Sequence, residues 1–207
     1  MSVSEFPLVS KSLVARVKGI IMRPNEEWRA IDAEPATVMG LYMGYIAPLS
    51  AIPVIAGFIG FTLFGLRLGI YGTYRLPLMV GIEHAIARYV LGLAGVYVLA
   101  LIIDALAPSF GGTRNRVQAL KVVAYSATAG WLAGIFAIIP ALSLLGILGF
   151  YSLYLIYLGI PVLMKAPPER ALGYTVVAIV CAIVLYMIMG AIAGSFMGGY
   201  NALRFAH

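Results

Sequence analysis

The sequence predicts an all-α integral membrane protein with five transmembrane helices and an N-terminal amphipathic interfacial helix. Hydrophobic residues make up 62% of its 207 residues and charged residues only 11%, whereas soluble domains average about 45–50% and about 25%. The tract Pro140–Met164 is an apolar run of about 25 residues without a charge, which is long enough to cross a bilayer. The polar segment Lys165–Arg170 that follows is too short to be a domain, so the next apolar segment must return through the membrane.

Residues 1–36 are expected to form an amphipathic prelude on the membrane surface. Apolar residues recur at helical spacing between positions 9 and 22, and Lys11 and Lys18 fall on the opposite face, toward lipid head groups. A second helix is expected from Pro24, because proline suits a first helical turn and the acidic residues after it complement the helix dipole. Trp28 is a candidate interface anchor. A partly ordered tail is the alternative.

Residues 37–207 form the predicted transmembrane domain. Its five apolar spans lie at about 37–64, 78–107, 117–139, 141–164 and 171–197. Pro48 and Pro53 predict a kink in the first span. The third and fourth spans are joined at Pro140 almost without a loop, so we expect a tight antiparallel hairpin.

The distribution of basic residues predicts the orientation. Of the 14 lysines and arginines, ten flank the spans on the side of the N-terminus, three lie on the other side, and Arg88 falls within a span. Because cytoplasmic loops carry the excess of lysine and arginine, the N-terminus is predicted to be cytoplasmic. The C-terminus of this multi-pass protein of the cell membrane is then outside.

Four polar residues of the second span are candidates for a transport pathway. Glu83, His84 and Arg88 lie near its beginning and Asp104 near its far end. Charges at bilayer depth are costly and usually face a cavity, a partner or the interface. The alternative is that the long span lets these side chains extend to the two interfaces.

Tyrosines suggest a polar seam in the third and fourth spans. Tyr151, Tyr154 and Tyr157 recur near the middle of the fourth span. A buried phenol needs a hydrogen-bond partner, and Tyr125 of the third span is a candidate across the hairpin. The alternative is that these tyrosines line a cavity for a lipid or a solute.

Glycines at four-residue steps suggest close helix packing. Gly190, Gly194 and Gly198 fall on one face of the fifth span, and Gly130 and Gly134 make a shorter series in the third. Small residues let helix backbones approach each other in lipid. Packing within the monomer and a homo-oligomer contact are both compatible with the pattern.

The remaining charges point to membrane lipids rather than to catalysis or nucleic acid. Contact with lipid head groups is expected for five basic residues near the ends of apolar segments. They are Lys11, Lys18, Arg114, Arg116 and Lys165. With two histidines and one cysteine, the chain has no metal-binding or catalytic motif, so neither an enzyme nor a cofactor is expected. No nucleic-acid-binding motif accompanies the formal charge of +6.

Four tracts of the chain resemble the Yip family of Ypt-interacting proteins, in its prokaryotic branch. They are DALAPSFGG from Asp104, QALKVVAYS from Gln118, WLAGIF from Trp131 and YSLYLIYLGIPVLMK from Tyr151. The resemblance implies five transmembrane helices with a cytoplasmic N-terminus. Eukaryotic members are implied in traffic between endoplasmic reticulum and Golgi, with Rab-type GTPases as partners. Their N-terminal regions are longer than the 36 residues here, which counts against GTPase binding by this chain, and no catalytic residues transfer.

The sequence therefore favours a non-enzymatic membrane protein that organises the membrane or serves as a trafficking adaptor. Its expected partners are membrane lipids, a second copy of the chain or another protein. The alternative is a transporter or channel for a small solute, ion or lipid, which would use the polar residues of the second span.

Overall fold

A computed structural model describes residues 11–67 and 73–204, and they form a helical bundle. Two short helices, α1 (Leu13–Met22) and α2 (Pro24–Ala33), precede five longer ones. The longer helices are α3 (Val38–Phe64), α4 (Leu78–Phe110), α5 (Arg116–Ile138), α6 (Ala141–Leu163) and α7 (Pro168–Arg204). All five contain windows long and apolar enough to cross a membrane, which confirms the predicted fold class.

The helices α1 and α2 form a short hairpin, here called the N-terminal hairpin. The Ser12 side chain caps α1 by accepting a hydrogen bond from the Ala15 amide, and Pro24 opens α2. The apolar face of the hairpin packs on the bundle, because Ile20, Trp28 and Ile31 are fully buried in the common core. This corrects the expectation that the face lies in lipid, and Trp28 is a core residue rather than an interface anchor.

The first long helix, α3, changes its winding twice. It has π-helical turns at Tyr42–Ile46 and Gly60–Phe64, and Pro53 lies inside the α-helical stretch between them. The helix continues through this proline, and Gly134 of α5 packs directly against the Pro53 ring. Only glycine leaves room for that contact, since a Cβ at position 134 would overlap the ring.

A small β-ribbon joins α3 to α4 at the end of the bundle opposite the hairpin. Strand β1 (Leu66–Arg67) pairs antiparallel with β2 (Thr73–Tyr74). These two-residue strands are the β structure present in the described ranges.

The helices α5 and α6 form an antiparallel pair around the Ile139–Pro140 junction. Their adjoining ends are 3₁₀-helical, at Gly134–Ile138 and Pro140–Phe150. A hydrogen bond from the Gly130 amide to Ser152 Oγ, 3.0 Å long, joins the two helices. A Cβ on Gly149 would lie 3.3 Å from Gly130 Cα, so the two backbones approach closely here.

The N-terminal hairpin and two connecting segments meet at one end of the bundle, here called the N-terminal face. The Thr113 amide, between α4 and α5, donates a hydrogen bond to the Met164 carbonyl after α6. Lys165 in turn reaches Asp32 of α2. Three chain segments distant in sequence therefore form one surface, while the β-ribbon lies at the opposite end.

Candidate functional site: the N-terminal face

A buried ion cluster holds the N-terminal hairpin together. Arg16 of α1 is 3% exposed. Its guanidinium donates a hydrogen bond of 2.6 Å to Glu27 Oε1 and a second hydrogen bond to Glu34 Oε2. Lys11 Nζ donates a hydrogen bond of 2.8 Å to the other carboxylate oxygen of Glu27. The Arg16 guanidinium also lies over the Tyr125 ring, 5.6 Å from its centroid. Burial alone would lower the pKa of Arg16, but the hydrogen bond and charge of Glu34 raise this pKa above its ordinary value. Arg16 therefore stays charged.

A lysine from the bundle fixes the end of the hairpin. Lys121 of α5 is buried and donates hydrogen bonds to the Ile31 carbonyl, at 2.8 Å, and to the Glu34 carbonyl, at 2.6 Å. The last carbonyls of a helix lack intrahelical partners and carry partial negative charge. Lys121 satisfies such groups at the end of α2, so it works as a cap supplied by another helix.

Asp32 connects α2 to two further parts of the bundle. Its Oδ1 accepts a 3.1 Å hydrogen bond from Gln118 Nε2 of α5, and its Oδ2 pairs at 2.5 Å with Lys165 Nζ after α6. Together with the contacts of Lys121, these bonds fix the hairpin to α5 and to the segment after α6. The cluster binds and positions chain segments, and the described residues include no group of three histidine, cysteine or acidic side chains placed to hold a metal.

A groove of about 430 Å³ opens beside the ion cluster. We call it the N-terminal groove. Its walls come from α1, the end of α2, the start of α3 and the first half of α5. Its lining includes the three cations Lys11, Arg16 and Lys121, and also Gly40 and Gly44 of α3. The groove thus joins a cationic region to an apolar helix that enters the membrane.

The four polar residues predicted for a pathway do not come together. Glu83 and Arg88 are exposed, and His84 Nδ1 lies 3.2 Å from the Ala193 carbonyl oxygen. Asp104 is buried at the other end of α4, with Oδ2 4.0 Å from Arg116 Nε. Twenty residues of helix separate His84 from Asp104, which corresponds to about 30 Å. His84 and Arg88 border a separate cavity of about 460 Å³ between α3, α4 and α7.

The predicted polar seam between α5 and α6 is corrected by the structure. The Tyr151 hydroxyl donates to the Ile21 carbonyl of α1, while Tyr154 and Tyr157 are each 44% exposed. Tyr125 instead packs edge to face with Tyr45 of α3, at 4.6 Å between ring centroids. Three-residue steps rotate successive side chains by about 60° around a helix, so the three tyrosines of α6 cannot share one narrow face.

The two glycine series differ in their surroundings. Gly134 packs against Pro53 and Gly130 against α6, so both lie in helix contacts. A Cβ on Gly190 or Gly194 would meet nothing within 4 Å, so these two glycines do not serve close packing among the described residues. Gly198 lies outside the residues whose side-chain surroundings are described. A homo-oligomer contact at this series stays a prediction.

The five residues expected at lipid head groups occupy two kinds of environment. Lys18 and Arg114 are exposed. Lys11 and Lys165 pair with carboxylates of α2, and Arg116 is exposed beside Asp104. Head-group contact by these residues stays a prediction.

Sequence reasoning missed the two buried cations, Arg16 and Lys121. Lys121 had a detectable signal, because it is a lone charge within the apolar tract QALKVVAYS. Arg16 had none, since its partners follow it by 11 and 18 residues and only the folded hairpin brings them together.

The fold and the N-terminal face define a class of multi-pass cell-membrane protein, with five spanning helices and an N-terminal hairpin docked on one end. The chain belongs to the Yip1 family, because the Yip1 domain profile matches residues 18–192. It is similar to the "Inner membrane protein YohC" of Escherichia coli K12, with 28% identity over 166 residues, 78% of this chain and 85% of that protein. The protein of the same name from E. coli O6:H1 matches equally. No solved structure matches.

Proposed function

We propose that this protein is a non-enzymatic membrane adaptor whose N-terminal face lies in the cytoplasm and contacts a protein partner. The docking of the hairpin is the observation that carries the proposal. A helix that organises a membrane by insertion needs its apolar face in lipid. Here that face is occupied by the bundle, because Ile20, Trp28 and Ile31 are fully buried.

The outer side of the hairpin is suited to a protein contact. Its exposed polar residues are Lys18, Arg23, Asn25, Glu26 and Arg29. These five residues, here called the outer surface, are held on two packed helices and the turn between them, and they carry three positive charges and one negative charge. A surface of this kind favours a partner with acidic residues, because charge complementarity steers association and sets specificity.

The transport alternative has less support. The polar groups of α4 lie near its two ends, and the buried residues between them are apolar. They include Val96, Leu99, Ala100 and Ile103. A route for ions needs polar groups or water along its length, and these buried residues of α4 supply no polar side chain. The non-enzymatic part of the proposal rests on the sequence, which has no catalytic motif.

Site-specific photo-crosslinking in cells tests the adaptor role. In one variant of the chain a photoreactive residue replaces Arg29 on the outer surface. In a second variant it replaces Arg75, which is exposed at the opposite end of the bundle. We expect a discrete protein adduct from position 29 and none of the same mass from position 75. The double change Lys18→Glu and Arg23→Glu should reduce the adduct at least about fivefold, because rim charges govern association. An adduct that survives this reversal unchanged, or adducts to lipid alone, would contradict the proposal.

Flux through purified protein in sealed liposomes tests the alternative directly. Protons, potassium and a dye-labelled lipid serve as reporters, and wild-type protein is compared with Asp104→Asn and Glu83→Gln. We expect no flux above that of empty liposomes. Flux that is abolished by either substitution would establish transport and would contradict the adaptor proposal.

A further inference from the structure

The N-terminal groove has the two-part character of an amphiphile site. Lys11, Arg16 and Lys121 line its polar region. Gly40 and Gly44 of α3 form part of its wall as well, and a Cβ on Gly44 would meet nothing within 4 Å. The neighbouring α3 residues Met39 and Met43 are exposed, as expected for a helix surface in lipid. The groove is therefore lined both by charged side chains and by the start of a membrane helix.

Several hydrogen-bond donors at the polar end have no partner in the described ranges. A guanidinium has five N–H groups and an ammonium three. Arg16 makes one bond to each of two carboxylates, and Lys121 bonds to two carbonyls. Tyr125 also lines the groove and is 8% exposed, and its hydroxyl donates to none of the described residues. Among the described residues, no donor atom of Arg16, Lys121 or Tyr125 is enclosed without a partner, so their free N–H and O–H groups are open to the groove. A ligand with several acceptor oxygens can accept hydrogen bonds from them there.

The charge of the groove favours an anion. Three cations line it, and Glu34 is the carboxylate among the lining residues. Glu27 lies beside the cluster, where it pairs with Arg16 and Lys11. A phosphate group offers several acceptor oxygens and a negative charge, and it forms strong charge-assisted bonds with arginine and lysine. The volume of about 430 Å³ falls within the usual range of about 300–1,000 Å³ for ligand pockets.

We propose that the N-terminal groove binds one molecule of an anionic phospholipid. The phosphate lies against Lys11, Arg16, Lys121 and Tyr125, and the apolar part follows the Gly40–Gly44 wall into the membrane. A free phosphate ion would make the same polar contacts but has no apolar part to contact the Gly40–Gly44 wall. The site is independent of the adaptor role, because it lies between the hairpin and the bundle rather than on the outer surface.

Native mass spectrometry of the full chain released from nanodiscs tests this site. The nanodiscs contain phosphatidylcholine with phosphatidylglycerol as the probe, and inorganic phosphate is added in a separate series. We expect one retained phosphatidylglycerol per chain, present above its share of the bilayer. Inorganic phosphate should not displace it at millimolar concentration. No enriched lipid, or displacement by inorganic phosphate, would overturn the proposal.

Three substitutions localise the site and leave the ion pairs of Arg16 in place. Gly44→Leu fills the apolar wall, and Tyr125→Phe removes one hydroxyl while keeping the ring contacts. Lys11→Gln removes a half-exposed charge. Each should lower lipid retention, by about tenfold for Gly44→Leu and Lys11→Gln and severalfold for Tyr125→Phe. The matched control is Gly194→Leu on α7, where a Cβ also meets nothing within 4 Å. Equal retention in Gly44→Leu and wild type, or equal loss in the control, would overturn the proposed location.

Discussion

The contact between Gly159 and Trp28 makes docking of the N-terminal hairpin sensitive to a single methyl group. A Cβ on Gly159 of α6 would lie 2.7 Å from Trp28 Cζ2 and 2.9 Å from Cη2. Carbon atoms in contact normally lie about 3.5–4.0 Å apart. Trp28 has no exposed surface, and the Tyr125 ring lies 6.3 Å away on the bundle. Gly159→Ala therefore forces the indole, and α2 with it, away from α6.

The expected cost follows from the overlap of about 1 Å. Overpacking a well-packed contact by one methyl group costs about 1–3 kcal/mol. Since 1.4 kcal/mol is a factor of ten in an equilibrium constant, the open population of the hairpin should rise about 5- to 150-fold. The gain in helix propensity from glycine to alanine does not offset this change, because α6 is helical whether the hairpin is docked or open.

Hydrogen exchange followed by mass spectrometry in nanodiscs measures the opening. Amides of residues 13–33 should exchange faster in Gly159→Ala by the same 5- to 150-fold, while those of α4 and α7 keep their protection. Gly190→Ala is the matched control, since a Cβ there meets nothing within 4 Å. Unchanged exchange in the hairpin would refute the argument from close packing. Faster exchange throughout the bundle would refute the claim that Gly159 acts on docking.

Two further predictions concern charge and orientation. Arg16→Met should lower the free energy of unfolding in detergent by about 3–5 kcal/mol, because it leaves two partly or fully buried carboxylates without their main partner. The control is Arg23→Met, which removes an exposed pair with Glu26 and should change the free energy of unfolding by less than about 1 kcal/mol. Equal losses of stability in the two variants would show that burial of the ion pair does not matter. On a Cys181→Ser background, a cysteine at Arg170 should react with a membrane-impermeant maleimide only from the cytoplasmic side, and one at Arg75 only from outside. The reverse pattern would overturn the orientation.

The spanning helices were predictable because their signal is local. Each span is a long apolar run whose free energy of insertion depends on composition more than on neighbours. The 3₁₀ winding of Pro140–Phe150 was not predictable, because it has no distinct signature in a continuous apolar run. The all-α class and the five spans therefore came directly from the sequence, while the winding of individual turns did not.

The candidate site was less predictable because it depends on contacts between distant segments. Periodicity identified the apolar face of α1, but the same pattern fits a cover of lipid or of protein. Protein rather than lipid covers this face because Gly159 contacts Trp28 and Lys121 bonds to Glu34. In each pair the two residues lie far apart in the sequence. The rotation of α6 was likewise not fixed by its own sequence, so Tyr151 was assigned to the wrong neighbour.

The long sequence separation between the N-terminal hairpin and its contact site on α6 has a consequence for biosynthesis. Gly159 follows Trp28 by about 130 residues, which corresponds to roughly 7–26 s of translation at about 5–20 residues per second. During this interval the apolar face that includes Ile20 and Trp28 has no bundle to cover it. Another cover, such as the head-group region of the bilayer or a chaperone, is needed until Gly159 has been made and the bundle can take its place.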